Sequence, residues 1–317
     1  MTIPSCALHR IISLLGTAIE LRIVGPPSVA HVAEVTAVAE IQRCEHVFSA
    51  FVETSELNRW RNGRTDSVSD EFSSMLRTAL QWQAAGHDAF DPDVGELARM
   101  WARGGDNEAV PDRADLRAAV ARIGSPAYVF EGSRLRRLRD CSDVNFNAIA
   151  KGYIVDREAS AGMAVAGVES IVVNSGGDVV HRATSSVAIG IENPATPYDN
   201  VPPMAIVDVA DRSVATSGSA RRGLDIGGRR YSHVIVPRTG WPVDDIRSAS
   251  VIAIDACTAD AVATIVGVMD VNDGRMFVDS RGRQLLLGRR WWRGVAERRL
   301  VPVRAASLRA SSIQPVA

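Results

Sequence analysis

The spacing of apolar residues along this chain changes period repeatedly and never settles into a strand–helix–strand rhythm. Apolar residues at every second position read as half-buried strands, and at every third or fourth as amphipathic helices. A strand is expected from Ile11 to Ile23, interrupted at Gly16–Thr17, and Val32, Val35, Val38, Ile41 and Phe48 then follow at helical spacing. Residues 49–60 read as a loop or short strand. A helix from Ser69 to Ala85 stops at Gly86, and Gly104 to Pro111 reads as a surface loop before a helix over 112–123. Short strands near Tyr128 and Leu135, a helix from Gly152 to Ala166 and a buried strand at S-I-V-V-N-S come next. Further strands are expected over 187–191, 204–209, 231–236 and 250–254, then a helix over 258–269 and strands near Phe277 and Leu285. Helices and strands mixed in this way favour an α+β class over an alternating α/β sheet.

At 317 residues, 46% hydrophobic and 23% charged, the chain can bury a full core without staples. A formal net charge of −1 supplies no global field for nucleic acid or an anionic membrane. Cys6, Cys44, Cys141 and Cys257 lie far apart without a C-x-x-C pair, which argues against a disulfide framework or zinc knuckle. No apolar run reaches the ~18 residues of a membrane span. The N-terminus lacks the basic region of a signal peptide and the apolar run of a lipoprotein signal, so a cytoplasmic location is expected. Residues 281–309 hold nine arginines against the single acid Glu297, and a solvated basic tail is expected there rather than an anion-binding patch.

Of 36 basic residues only Lys151 is a lysine, within N-F-N-A-I-A-K-G-Y. Lysine and arginine differ where a compact point charge must fit beside a phosphate, although a single lysine in an arginine-biased chain can also arise by chance. The small residues Ala148, Ala150 and Gly152 around it permit close backbone approach, and a helix starting near Gly152 would offer amide donors to phosphate. The spacing is not that of a Walker loop. In A-D-A-V-A-T, Asp260 and Thr264 are i and i+4 on a helix, a carboxylate and a hydroxyl suited to magnesium. The plainer reading is an Asp favoured by the helix dipole and a Thr bonded to its own helix. V-N-S-G-G-D is a strand ending in two glycines, either a plain turn or a place where backbone approaches a ligand. His233 falls in an expected strand, where a histidine is more often structural than basic.

Seven motifs in order carry a resemblance to one family: L-L-G-T, F-S-A-F-V-E-T-S-E-L, D-A-F-D-P-D-V-G, N-A-I-A-K-G-Y-I-V-D, N-S-G-G-D, S-H-V-I-V-P-R-T-G-W-P-V and A-D-A-V-A-T. Together they resemble the FAD:protein FMN transferases of the ApbE family over nearly the whole chain. The resemblance implies an ApbE-like fold of mixed sheets packed by helices, with the FAD site between two halves. Residues 1–280 are expected to form a single catalytic unit, with two intertwined subdomains as the alternative, and 281–317 an Arg-rich strand and tail. It also implies Mg²⁺ held by Asp260, Thr264 and the Ala148 carbonyl. FAD contacts are implied at Leu15, Ala89, Phe90, Asp91, Asn145, Lys151 and from Ser232 to Ile235. His233 matches a proposed general base. Departures fall at Asn145, Val236 and Asp93, where the family has Asp, Asp and Thr, and at Arg61, where it has an asparagine near the flavin.

The implied reaction is transfer of FMN from FAD onto a Ser or Thr hydroxyl of an acceptor protein, releasing AMP, with Lys151 stabilising phosphate charge. An FAD pyrophosphatase and a catalytically silent FAD-binding protein are the competing readings. The expected partners are FAD and an acceptor flavoprotein, without nucleic acid or a membrane span.

Overall fold

The computed structural model describes residues 6–14, 17–132, 134–141, 143–197, 200–219, 222–244, 246–280 and 284–289. In chain order the first elements are β1 (Cys6–Leu14), β2 (Thr17–Val24), α1 (Pro27–Phe48), α2 (Glu56–Arg61), α3 (Asp70–Ala85), α4 (Gly95–Asp106) and α5 (Arg113–Ile123). Then come β3 (Tyr128–Glu131), β4 (Arg134–Arg137), α6 (Ala150–Met163), β5 (Ser170–Ser175), β6 (Asp178–Arg182), β7 (Val187–Ile191) and β8 (Ala205–Val209). The chain continues through β9 (Arg212–Gly218), β10 (Gly223–Ile226), β11 (Arg229–Ser232), β12 (Ile246–Ala253), α7 (Ala256–Val268), α8 (Val271–Asp279) and β13 (Gln284–Arg289). By contact the chain divides into two compact units, 1–41 with 151–221 and 245–317, and 42–150 with 222–244.

The first unit is built on a seven-stranded antiparallel sheet of spatial order β1-β2-β5-β6-β9-β12-β13. Period-two alternation sorts its residues between two covers. On one face, Gly162 of α6 meets Ile171 of β5 together with Ala33 and Ala37 of α1. On the other, Val179, Val214 and Ile252 cluster with Ile191 and Val209 of the β7–β8 hairpin. Asp156 ties α6 to its neighbours. One oxygen accepts from the Cys257 amide at 2.9 Å, at the start of α7, and the other from Arg182 of β6 at 2.8 Å. A Cβ on Gly152 would lie 2.2 Å from the Ala256 carbonyl oxygen, so only glycine lets α6 lie this close to α7.

The second unit packs α2 to α5 with the β3–β4 and β10–β11 hairpins. One cluster joins Leu97, Trp101, Leu116, Ala119, Ile226 and Ile235, with the Trp101 indole donating to the Gly240 carbonyl at 2.7 Å. A second stacks Phe48, Phe146, Phe72, Trp60 and Tyr128 edge-on or tilted.

Four expectations are corrected. Part of 49–60 is helical, because Ser55 caps α2 through its hydroxyl, accepting from the Asn58 amide at 3.1 Å. The loop expected from Gly104 begins inside α4. There a Cβ on Gly104 would sit 2.6 Å from the Ala109 carbonyl oxygen, so the glycine serves packing rather than flexibility. Phe277 belongs to a helix, α8, capped by Asp270 at the Asn272 amide. The strand expected over 231–236 ends at Ser232, whose hydroxyl accepts from the Val234 amide and turns the chain. Leu15 and most of the Arg-rich stretch after residue 280 lie outside the described residues. Among the described residues, no helix is long and apolar enough to cross a membrane.

One side chain works against this core. Glu158 of α6 is 0% exposed, and neither carboxylate oxygen has a hydrogen-bond partner among the described residues. Burial pushes its carboxyl up to about 8. A carboxyl raised on folding binds its proton more tightly in the native state, so its contribution to stability declines as pH rises from the unfolded value toward 8. Glu158→Leu is therefore expected to stabilise the protein by about 2–4 kcal/mol at pH 8 and by much less at pH 5. Thermal unfolding at the two pH values checks this, and an equal gain at both, or a loss, would contradict it.

Candidate functional site

Lys151 stands on the first turn of α6, half-buried. Its Nζ lies 2.6 Å from Asp178 Oδ2 and donates to the Ser175 carbonyl at 3.4 Å. Those two residues are the ends of the turn joining β5 to β6, and the turn itself is Gly176–Gly177, with φ of +56° and +99°. Two left-handed residues in succession are what a tight two-residue hairpin needs. The glycines of N-S-G-G-D therefore make a turn, and the following Asp meets the lysine. Period-two placement puts Asp178 on the same side as Val180, whose paired residue Val173 faces the helices.

Asp260 lies in the second turn of α7, whose N-cap is Asp255, bonded to the Thr258 amide at 2.6 Å. Asp260 therefore does not cap the helix. Asp260 is 7% exposed, and its Oδ2 accepts from the Gly152 amide at 3.3 Å. Thr264 follows one turn on, partly exposed. Within the first unit, Lys151, Asp178, Gly152 and Asp260 thus gather around the start of α6. Among the described residues no group of three or more His, Cys, Asp or Glu is placed to hold a metal. The Asp260 carboxylate and the Thr264 hydroxyl, one turn apart on α7, are hard-oxygen groups of the kind that suits a cation keeping several waters or phosphate oxygens of its own. Ala148 lies in the second unit, in the turn before α6.

In the second unit, Ala89, Phe90 and Asp91 are buried after a bend in which His87 and Asp88 adopt left-handed φ of +50° and +59°. Asp91 accepts from the Gln83 side chain at 2.5 Å and from the Asp93 amide at 2.8 Å. Burial raises its carboxyl to about 7, and raises that of Asp93 to about 6 against the pull of Arg139 at 3.1 Å. Asn145 shapes its own loop. Its side-chain oxygen accepts from the Asn147 amide at 3.1 Å and its amide donates to the Asp143 carbonyl at 3.3 Å. Arg61, the departure on α2, donates to the Ala50 and Val144 carbonyls and lines a pocket of about 490 Å³ with Arg137 and Arg139.

His233 is exposed just beyond β11. Its Nδ1 lies 3.2 Å from the Arg222 carbonyl oxygen, across the open end of the β10–β11 hairpin. A carbonyl only accepts, so Nδ1 must carry the proton and Nε2 is left as the basic nitrogen. Ser232 is buried with its hydroxyl on the Val234 amide, and Ile235 packs in the second unit's core.

Sequence reasoning passed over Asp178, which looked like the end of a turn. The signal available was the isolated lysine itself, since a partly buried ammonium requires an anion nearby.

Residues 15–287 match the model of the ApbE family. An FAD:protein FMN transferase of Vibrio cholerae is 29% identical over 299 residues, covering 90% of this chain and 88% of the relative. One from Treponema pallidum is 29% identical over 287 residues, covering 81% and 77%. The crystal structure of an ApbE protein from Thermotoga maritima superposes with a TM-score of 0.77 at 26% identity, covering 89% of this chain and 94% of that one. The flavin transferase ApbE of Vibrio cholerae shares the fold with a TM-score of 0.74 at 23% identity, over 88% and 92% of the two chains. The fold, the ordered motifs and the match over most of its length agree: the chain belongs to the ApbE family.

Proposed function

We propose that this protein is an enzyme that transfers FMN from FAD to a Ser or Thr hydroxyl of an acceptor protein, releasing AMP. The observation that carries this reading is the cluster at the start of α6. There the only lysine of the chain and a buried carboxylate from α7 occupy neighbouring positions, Lys151 and the Gly152 amide. Relatives named FAD:protein FMN transferase support the same reaction class.

In the reaction the acceptor oxygen forms a bond to the FMN-side phosphorus, and the bond from that phosphorus to the bridging pyrophosphate oxygen breaks. The leaving group is AMP. His233 takes the acceptor's proton on Nε2, the nitrogen that the Arg222 carbonyl leaves free of a proton. Lys151 stabilises charge that develops on the phosphates. Asp260, Thr264 and the Ala148 carbonyl would hold Mg²⁺, which when bound would neutralise the pyrophosphate. Leu15, Ala89, Phe90, Asp91, Asn145, Lys151, Ser232 and Ile235 bind the flavin nucleotide.

The test is incubation of the purified chain with FAD, Mg²⁺ and a panel of Ser- and Thr-containing acceptor peptides. AMP and FMN are read by chromatography, and covalent flavin by in-gel fluorescence. Stoichiometric AMP and flavinylated acceptor, both lost on chelation, are the expected result. Free FMN with every acceptor would replace transfer by hydrolysis, and no AMP at all would leave a binding protein.

A further inference from the structure

The structure assigns a partner to the only lysine of the chain, and we infer that Asp178 is a positioning residue that holds the Lys151 ammonium in its working orientation. The inference rests on the transferase reading proposed above. A lysine side chain is a compact charge on a flexible four-carbon stem, so by itself it samples many positions. Here an ion pair with the Asp178 carboxylate at 2.6 Å and a hydrogen bond to the Ser175 carbonyl at 3.4 Å constrain it.

Both acceptors sit at the ends of one glycine turn, and antiparallel pairing holds that turn rigid. Ser175 is opposite Asp178, and Asp178 is in turn opposite Ala215 of β9. The carboxylate is 1% exposed. It therefore has little freedom to follow a wandering ammonium, and its charge depends on one. Donors that are already oriented stabilise developing phosphate charge without reorganising during the reaction, and this is the advantage the pair confers.

A purely structural pair, pinning α6 to the sheet, would look the same in a static view, so the test separates the two roles. Asp178→Asn keeps size and hydrogen-bonding capacity while removing the charge. The expected result is a fall in kcat for AMP formation of about 10–100-fold, as for other partners that orient a catalytic group, with KM and Kd for FAD changed less than about threefold. In a Lys151→Met background the same substitution should cost less than about twofold, because its effect runs through the lysine. An unchanged kcat, or an equal loss with and without the lysine, would overturn the inference. If the parent protein forms no AMP, the transferase reading fails instead.

The single lysine also permits a measurement that needs no variant. With ¹⁵N-lysine incorporated, Lys151 supplies the only lysine ammonium signal of the chain. An ammonium held by Asp178 should exchange its protons slowly enough to give an NH3+ resonance in the native protein, lost on unfolding. An ammonium that exchanges as fast in the folded protein as in the unfolded chain would overturn the inference even if Asp178→Asn did not fold.

Discussion

Asp260→Asn is expected to lower the rate of AMP release from FAD by about 10²–10³-fold at limiting Mg²⁺, while the protein remains folded. Asparagine is chosen over alanine because Asp260 also holds the Gly152 amide. Its Oδ2 accepts from the Gly152 amide at 3.3 Å, and an amide oxygen in the same place can keep that bond. The negative charge is the part that is lost, and charge is what a divalent cation draws on. A buried carboxylate with only structural duties would show the reverse pattern, a change in thermal stability with little change in rate. Thr264→Val should cost less, about tenfold, since a neutral hydroxyl contributes less to binding the ion. Raised Mg²⁺ should recover part of the Thr264→Val loss. Parental turnover by both variants at limiting Mg²⁺ would remove these residues from the metal set.

The long elements were legible because their burial follows one period. Helix α3 turns Phe72, Met75, Leu76 and Ala79 inward from a Ser69 cap, and the expected boundaries lie within a residue of the observed ones. Short elements were not legible. The six residues of α2 are fewer than two turns, so no stripe can be read from them, and a single side-chain cap at Ser55 decides their conformation. Helix α4 was obscured by Gly104 and Gly105, which resemble a breaker until the neighbouring Ala109 carbonyl and Pro111 are seen to need the space. In the candidate site, Lys151 was conspicuous by composition and Asp260 with Thr264 by helical spacing. The Lys151–Asp178 contact joins residues 27 positions apart, and only the pairing of β5 with β6 beneath α6 brings them together. The role of Asp156 as a link between α6, α7 and β6 is of the same kind, since no local pattern distinguishes it from a solvent-facing helical acid.

His233→Ala is expected to slow flavinylation of an acceptor by about 10²–10⁴-fold, the usual contribution of a general base. It should slow hydrolysis of FAD by less. In the proposed mechanism the two reactions share the metal and Lys151, so variants there cannot separate them; the nucleophile is where they differ. An acceptor hydroxyl on a protein is bulky, has to be brought to one place, and needs its proton taken there. Water is small and abundant and relies more on activation of the phosphate itself. The ratio of flavinylated acceptor to free FMN should therefore fall in the variant, measured by in-gel fluorescence and chromatography on one sample. Because His233 is exposed just beyond β11, its loss should leave thermal stability close to the parent's. The exposed position also lets free imidazole reach the vacated space. Added imidazole should restore part of the flavinylation rate in His233→Ala and leave Asp260→Asn unchanged. A parental flavinylation rate in His233→Ala would make the imidazole structural. A reduced rate that imidazole restores equally in both variants would show a general buffer effect and remove the base assignment.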